Sequence, residues 1–315
     1  MTTDPAQELG TGPAIDGGAT ASGDTAGEWG VTASVGLTAL LVAAARAVEA
    51  DRPDALVRDE FAAGFVARAD APVPMPTTVR ELGTFTAGQG WQTMTAMMAV
   101  RTRVFDDLLR DADAAGLRQV VVLASGLDTR THRLDWAPGT TVFEIDQPGV
   151  LRFKQEALDA TGAPARAALR LVPADLRQDW PAALQEASLD TAAPTSWLVE
   201  GLLPYLPPDA EADLFDRITA LSAPGSRIAV EAIDHSDADA LATRPEIEDL
   251  GRSVGFDWAT LFDARSRPPV TETLQRLGWT TRARRLGELA AGYGRPFAGP
   301  ATAMPAANLI VDAHL

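Results

Sequence analysis

The residues best suited to chemistry stand at the ends of short apolar runs. Gln119–Ala124 is followed by Ser125 and Gly126, and Thr140–Ile145 is followed by Asp146. Gly126 and Asp146 are 20 residues apart, the spacing at which an acid in nucleoside-binding α/β proteins accepts hydrogen bonds from ribose hydroxyls. A carboxylate suits that task because it accepts two hydroxyl protons at once. Glu144 shares the strand face of Asp146 but lies further from the strand end, so Asp146 is the preferred candidate. Leu169–Pro173 is followed by Asp175 and Leu176, an acid for an exocyclic amine and an apolar side chain for a ring face. The run Ser196–Glu200 closes on Glu200, which is costly to bury without a partner; that partner is either the polar end of a bound molecule or an arginine. Acids or small residues at the ends of four successive runs converge on one site. The dinucleotide pattern G-x-G-x-x-G is absent, which speaks against a nicotinamide or flavin site.

Such a site needs a scaffold, and the hydrophobic periods supply one. Helical periods are expected over 34–50, over 56–68 with Asp54 as its cap, and over 89–114. The proline-rich stretch 71–77 reads as a loop. From Gly116 the period changes to short apolar strands at 119–124, 140–145, 169–173, 196–200, 227–233, 280–286 and 308–314. Helices are expected between them at 148–160, 210–222 and 270–277. Alternating strands and helices predict an α/β fold: a doubly wound, mostly parallel seven-stranded sheet covered on both faces, with an N-terminal helical cap. Residues 1–28 are nearly devoid of large apolar side chains and read as a disordered tail. Residues 29–115 form the cap and lead-in helix, and 116–315 the α/β domain, with a lid insertion at about 234–265.

Composition narrows the chemistry. The 315-residue chain has 27 Lys+Arg against 43 Asp+Glu, a formal charge of −16, which opposes general nucleic-acid binding. It has no cysteine, which removes thiolate metal sites, disulfides and cysteine nucleophiles. Lys154 is the only lysine. The three histidines, His132, His235 and His314, leave little room for a histidine metal site. No membrane span or signal peptide is visible, so a cytoplasmic location is expected.

Six segments together carry a family resemblance: Ser34–Arg46, Val100–Asp107, Leu123–Arg130, Val142–Pro148, Pro173–Arg177 and Glu200–Leu206. In this order they resemble class I S-adenosylmethionine-dependent methyltransferases, specifically the leucine carboxyl methyltransferase-like family of actinobacteria. The resemblance runs from about Trp29 to the C-terminus and implies a Rossmann-like fold with S-adenosylmethionine as cofactor. It implies that Arg101 meets the methionyl carboxylate, that Ser125 and Gly126 lie under the methionyl part, and that Asp146 and the adjacent Gln147 serve the ribose. It further implies that Asp175 and Leu176 contact adenine and that Glu200 lies near the amino end. The chain departs from the family's usual Gly-Ala-Gly, having Ala124-Ser125-Gly126.

The expected activity is O-methylation of a carboxyl or hydroxyl group on a small molecule, in secondary metabolism, with no nucleic-acid or membrane partner. A carboxylate acceptor needs no base near pH 7, whereas a phenol benefits from one, and His132 and His235 are the internal candidates. Phe85, Trp91, Tyr205 and Trp258 are candidates for an apolar acceptor pocket, or else ordinary core. The rival readings are a nucleotide-dependent oxidoreductase and a non-catalytic cofactor-binding protein.

Overall fold

The computed structural model describes residues 34–71, 73–85, 88–234, 265–298 and 307–315. The tail at 1–28, Trp29, His235, Trp258 and nearly all of the expected lid at 234–265 lie outside the described residues.

The chain begins with four helices, α1 (Ser34–Ala50), α2 (Ala62–Arg68), α3 (Val79–Thr84) and α4 (Gly88–Ala114). α3 is set by local chemistry: Thr78 accepts from the Glu81 N–H while the Glu81 carboxylate reaches back to the Thr78 N–H, a reciprocal capping box. The expected helix over 56–68 is shorter than its apolar pattern, starting only at Ala62. Asp54 caps nothing there. It pairs instead with Arg52 and Arg295, while Leu56 N–H donates to the Glu49 carboxylate.

Strands and helices then alternate: β1 (Gln119–Leu123), α5 (Arg130–Arg133), β2 (Thr141–Asp146), α6 (Pro148–Asp159), β3 (Ala168–Pro173), α7 (Trp180–Glu186), β4 (Thr195–Val199), α8 (Pro208–Ala220) and β5 (Arg227–Ile233). After residue 265 come α9 (Val270–Arg276), β6 (Thr280–Arg285), α10 (Leu286–Gly292) and β7 (Asn308–His314). The seven strands form one sheet in the order β3-β2-β1-β4-β5-β7-β6. β1 to β5 pair in parallel, and β7 runs antiparallel between β5 and β6. The sheet of alternating strands and helices that the periods predicted is therefore present, and it has the Rossmann-like form that the resemblance implies.

Alternation along the strands divides the core in two. Val120, Val122, Val142, Leu198, Ala229 and Ile310 face α1 and α4. Val121, Leu123, Phe143, Ile145, Trp197 and Val230 face α7, α8 and α9. Burial on both faces explains why the central strands are continuous apolar runs.

The strand order reverses between β1 and β4, which opens a crevice at their carboxyl ends. α1 lies across that opening. Its Arg46 donates to the Leu127 carbonyl at 2.6 Å, and a Cβ on Gly126 would sit 3.7 Å from Ala39. Among the described residues no helix is long and apolar enough to cross a membrane.

Candidate active site

The register sets the strand ends level. Leu123 is paired with both Ile145 and Val199, and Asp146 with Pro173. The residues that follow, Ala124–Gly126, Asp146–Gln147, Ala174–Leu176 and Glu200–Gly201, therefore border one rim. Gly126 has φ +47°, a left-handed conformation that suits glycine. Its N–H donates to Asp146 Oδ2 at 2.6 Å, and the Gln147 N–H donates to Asp146 Oδ1 at 2.7 Å. Two backbone donors thus fix the Asp146 carboxylate, leaving further lone pairs for other donors. Burial pushes the Asp146 carboxyl up; the two N–H bonds and the Lys154 charge oppose that shift.

Asp175 is held bidentately by Arg177, at 2.9 and 3.0 Å from Nε and 2.5 Å from Nη2. That pairing, helped by the Arg177 N–H and the Gln147 side chain, brings its carboxyl down to about 2. Gln147 so bridges the Asp146 and Asp175 positions. Leu176 packs half-buried on the second core. Glu144 turns away from the rim: it pairs with Lys154 at 2.7 Å and accepts from Thr131 at 2.7 Å.

At the β4 end, Glu200 accepts from Arg130 Nη1 at 2.7 Å, and its Oε1 lies 3.0 Å from Arg101 Nε. Among the described residues that Nε makes no aligned hydrogen bond although it is buried. Arg101 Nη1 donates to Glu231 at 3.0 Å, and Glu231 also accepts the Gly201 N–H at 2.8 Å. Gly201 has φ +65°, and a Cβ there would lie 3.6 Å from Arg101 Nη1. Burial pushes the Glu231 carboxyl up, with Arg101 beside it opposing the shift. Glu231 was not among the sequence candidates. Its signal is register: Val199 pairs with Val230, so the next residues, Glu200 and Glu231, are neighbours.

Behind these residues runs a buried ion network. Arg130 binds Asp106 (2.7 Å), Asp128 (2.5 Å) and Glu200 (2.7 Å), and Arg133 binds both oxygens of Asp106. Thr129 joins Arg133 to Asp59, and Asp59 lies 3.0 Å from Arg46 of α1. The network so links the N-terminal helices to the ends of β1, β4 and β5. Among the described residues its guanidiniums are Arg46, Arg101, Arg130 and Arg133, and its carboxylates Asp59, Asp106, Asp128, Glu200 and Glu231, which leaves one negative charge in excess. Despite burial, the arginines bring the Asp128 carboxyl down to about 2. A depressed acid stabilises the fold above its unfolded pKa, near 3.8, and that stability is lost as pH falls toward about 2. The stability difference between wild type and Asp128→Asn should therefore shrink by about 2 kcal/mol between pH 5 and 2, as measured by urea unfolding across that range. A difference that does not change with pH would contradict the pairing.

The remaining candidates are spread more widely. His132 is buried edge-on to Phe61, with ring centroids 5.9 Å apart, and its Nδ1 has no hydrogen-bond partner among the described residues. Burial chiefly lowers its pKa, and the Lys154 charge adds to this. Tyr205, in the turn after β4, shares a hydrogen bond with Thr38 of α1, and burial pushes its hydroxyl pKa up. Phe85 and Trp91 pack edge to face at 5.9 Å. Trp91 lies ten residues from Arg101 on α4, about 15 Å along the axis, so this pair borders a different part of the molecule from the Arg101 cluster. Among the described residues no group of His, Asp and Glu is placed to hold a metal ion.

A family model described as leucine carboxyl methyltransferase matches residues 39–219, more than half of the chain. The chain belongs to the leucine carboxyl methyltransferase family. A Saccharopolyspora erythraea relative is 45% identical over 287 residues, covering 91% of this chain and 98% of its own. A Mycolicibacterium smegmatis relative is 46% identical over 282 residues, covering 86% and 89%. One from Rhodococcus jostii is 46% identical over 277 residues, covering 85% and 90%. All three are named as S-adenosyl-L-methionine-dependent methyltransferases. This leucine carboxyl methyltransferase family member is an S-adenosylmethionine-dependent methyltransferase, which sets aside the oxidoreductase and non-catalytic readings. The site's chemistry fits that cofactor. The excess negative charge of the network suits a molecule with a sulfonium, an ammonium and one carboxylate. Among the described residues the buried Arg101 Nε has no aligned partner, and Asp146 accepts its hydrogen bonds from backbone donors alone.

Proposed function

We propose that this methyltransferase modifies an oxygen of a small molecule, with a carboxylate as the favoured acceptor and a hydroxyl as the second. The observation that carries the reading is the state of the histidines. His132 is buried against Phe61 with a lowered pKa. His314 pairs in register with Arg227, at the start of β5, away from the rim. Neither of these two described histidines stands at the rim, His235 lies outside the described residues, and a carboxylate acceptor, already ionised near neutral pH, needs no base. The family's own name, which specifies a carboxyl group, supports the same choice.

S-adenosylmethionine supplies the electrophilic methyl group. The protein's part is to bind, orient and dehydrate. Asp146 would take the ribose hydroxyls, with Gln147 beside it and Ser125 and Gly126 lining the methionyl part. Asp175 and Leu176 would hold the adenine. Arg101 would pair with the methionyl carboxylate, and Glu200 would balance the cationic end. Tyr205 would wall the acceptor side, whereas Phe85 and Trp91 belong to the packed core under the N-terminal helices.

The test is methyl transfer from labelled S-adenosylmethionine to matched carboxylic acids and phenols. Label should enter base-labile esters of the acids; label confined to phenolic ethers would overturn the carboxylate choice. Binding tests Arg101 separately. Arg101→Ala should weaken S-adenosylhomocysteine at least about tenfold while leaving free adenosine nearly unaffected. Equal losses for the two would show that Arg101 does not serve the methionyl end.

A further inference from the structure

The turn after β1 has a feature that cofactor contacts do not explain. Ala124 has φ +49°, next but one to Gly126 at φ +47°. A left-handed alanine brings its Cβ against the following carbonyl and persists only where its surroundings hold it. Backbone bonds supply part of the hold: Ser125 N–H to Ile145 O at 2.9 Å, and Asp128 N–H to Ser125 O at 2.8 Å. The chain's single lysine reaches the same turn. Lys154, on α6, is 1% exposed, and its Nζ donates to Ser125 Oγ at 3.0 Å while pairing with Glu144 at 2.7 Å. The other Glu144 oxygen accepts from Thr131, so a closed buried cluster joins α6, β2, α5 and the turn. A compact ammonium with several donors on one nitrogen suits a space between a hydroxyl and a carboxylate; a planar guanidinium does not. In a chain whose other cations are all arginine, the lysine stands where that difference matters.

We propose that Lys154 is a positioning residue of the cofactor site: through Ser125 it clamps the Ala124–Gly126 turn in the left-handed form in which the Gly126 N–H meets Asp146. This rests on the reading of Gly126 and Asp146 as cofactor contacts. The clamp and the strained alanine oppose each other, so their effects are coupled rather than additive.

The experiment is a double-mutant cycle of Ser125→Ala with Ala124→Gly, beside Asp146→Ala, read by S-adenosylhomocysteine affinity at room temperature and by the thermal midpoint of the unligated protein. Ser125→Ala alone should weaken S-adenosylhomocysteine about tenfold. Ala124→Gly alone should raise the thermal midpoint, because glycine accepts this φ without strain. In the Ala124→Gly background, the Ser125→Ala effect on affinity should fall to about threefold or less. Lys154→Met, if it folds, should match Ser125→Ala in affinity; if the unpaired Glu144 prevents folding, the Ser125 and Ala124 variants decide alone.

A purely structural ion pair would move the thermal midpoint and leave affinity within about twofold, overturning the proposal. So would additive effects in the cycle, or a lowered midpoint in Ala124→Gly. If Asp146→Ala binds S-adenosylhomocysteine like wild type, the site reading fails and cofactor positioning fails with it. Loss with Asp146→Ala but not with Ser125→Ala overturns the clamp alone.

Discussion

Arg130→Met lowers the unfolding free energy by about 3–5 kcal/mol, the cost of leaving buried charges uncompensated. The side chain is 3% exposed and serves three carboxylates, Asp106, Asp128 and Glu200, at 2.5 to 2.7 Å. Methionine keeps much of the volume and removes every donor. Arg133 still neutralises Asp106 in part, but Asp128 loses its close side-chain partner and Glu200 keeps only Arg101. The three arginines and their acids come from α4, the segment after β1 and the end of β4, so the loss falls on the elements that frame the rim. Urea unfolding followed by tryptophan fluorescence measures it, with Trp136 a local reporter because its Nε1 donates to the Arg130 carbonyl. A loss below about 1 kcal/mol, the range of an exposed ion pair, would mean the network is dispensable for stability.

Asp146→Ala carries the largest expected effect on cofactor binding, about 1.5–3 kcal/mol. Two causes add. The ribose hydroxyls lose a charged acceptor, and the Gly126 N–H, now 2.6 Å from the carboxylate, loses its partner. Asp146→Asn separates them: it keeps one acceptor oxygen but sets an amide donor against a backbone N–H, so it should recover only part of the loss. Recovery to wild-type affinity would show that charge at this position is unimportant.

The strands were legible because central strands are buried on both faces and need unbroken apolar side chains. The edges of Arg227–Ile233 and Asn308–His314 follow directly from their apolar runs. α3, α5, α7 and α10 span only four to seven residues, too few turns for a 3.6-residue period to stand out. The start of α2 was misplaced because Leu56 and Val57 continue the apolar pattern while Glu49 and Asp59 bind the backbone there and hold a turn. Asp146 and Glu200 were legible as acids at strand ends. Glu231, Asp106 and Arg130 were not, since each is defined by a partner 24 to 130 residues away. The partner of Glu144 was hidden for the same reason: alternation gives its face but not the lysine of α6 that pairs with it. His235 and Trp258 lie outside the described residues.

The ends of β1, β2 and β4 are the proposed S-adenosylmethionine site. Calorimetric titration of S-adenosylhomocysteine into wild type and Asp146→Ala tests it most directly. The predicted result is one site in wild type and an affinity lower by about 10- to 150-fold in the variant. Equal dissociation constants for the two proteins would contradict the assignment of this rim.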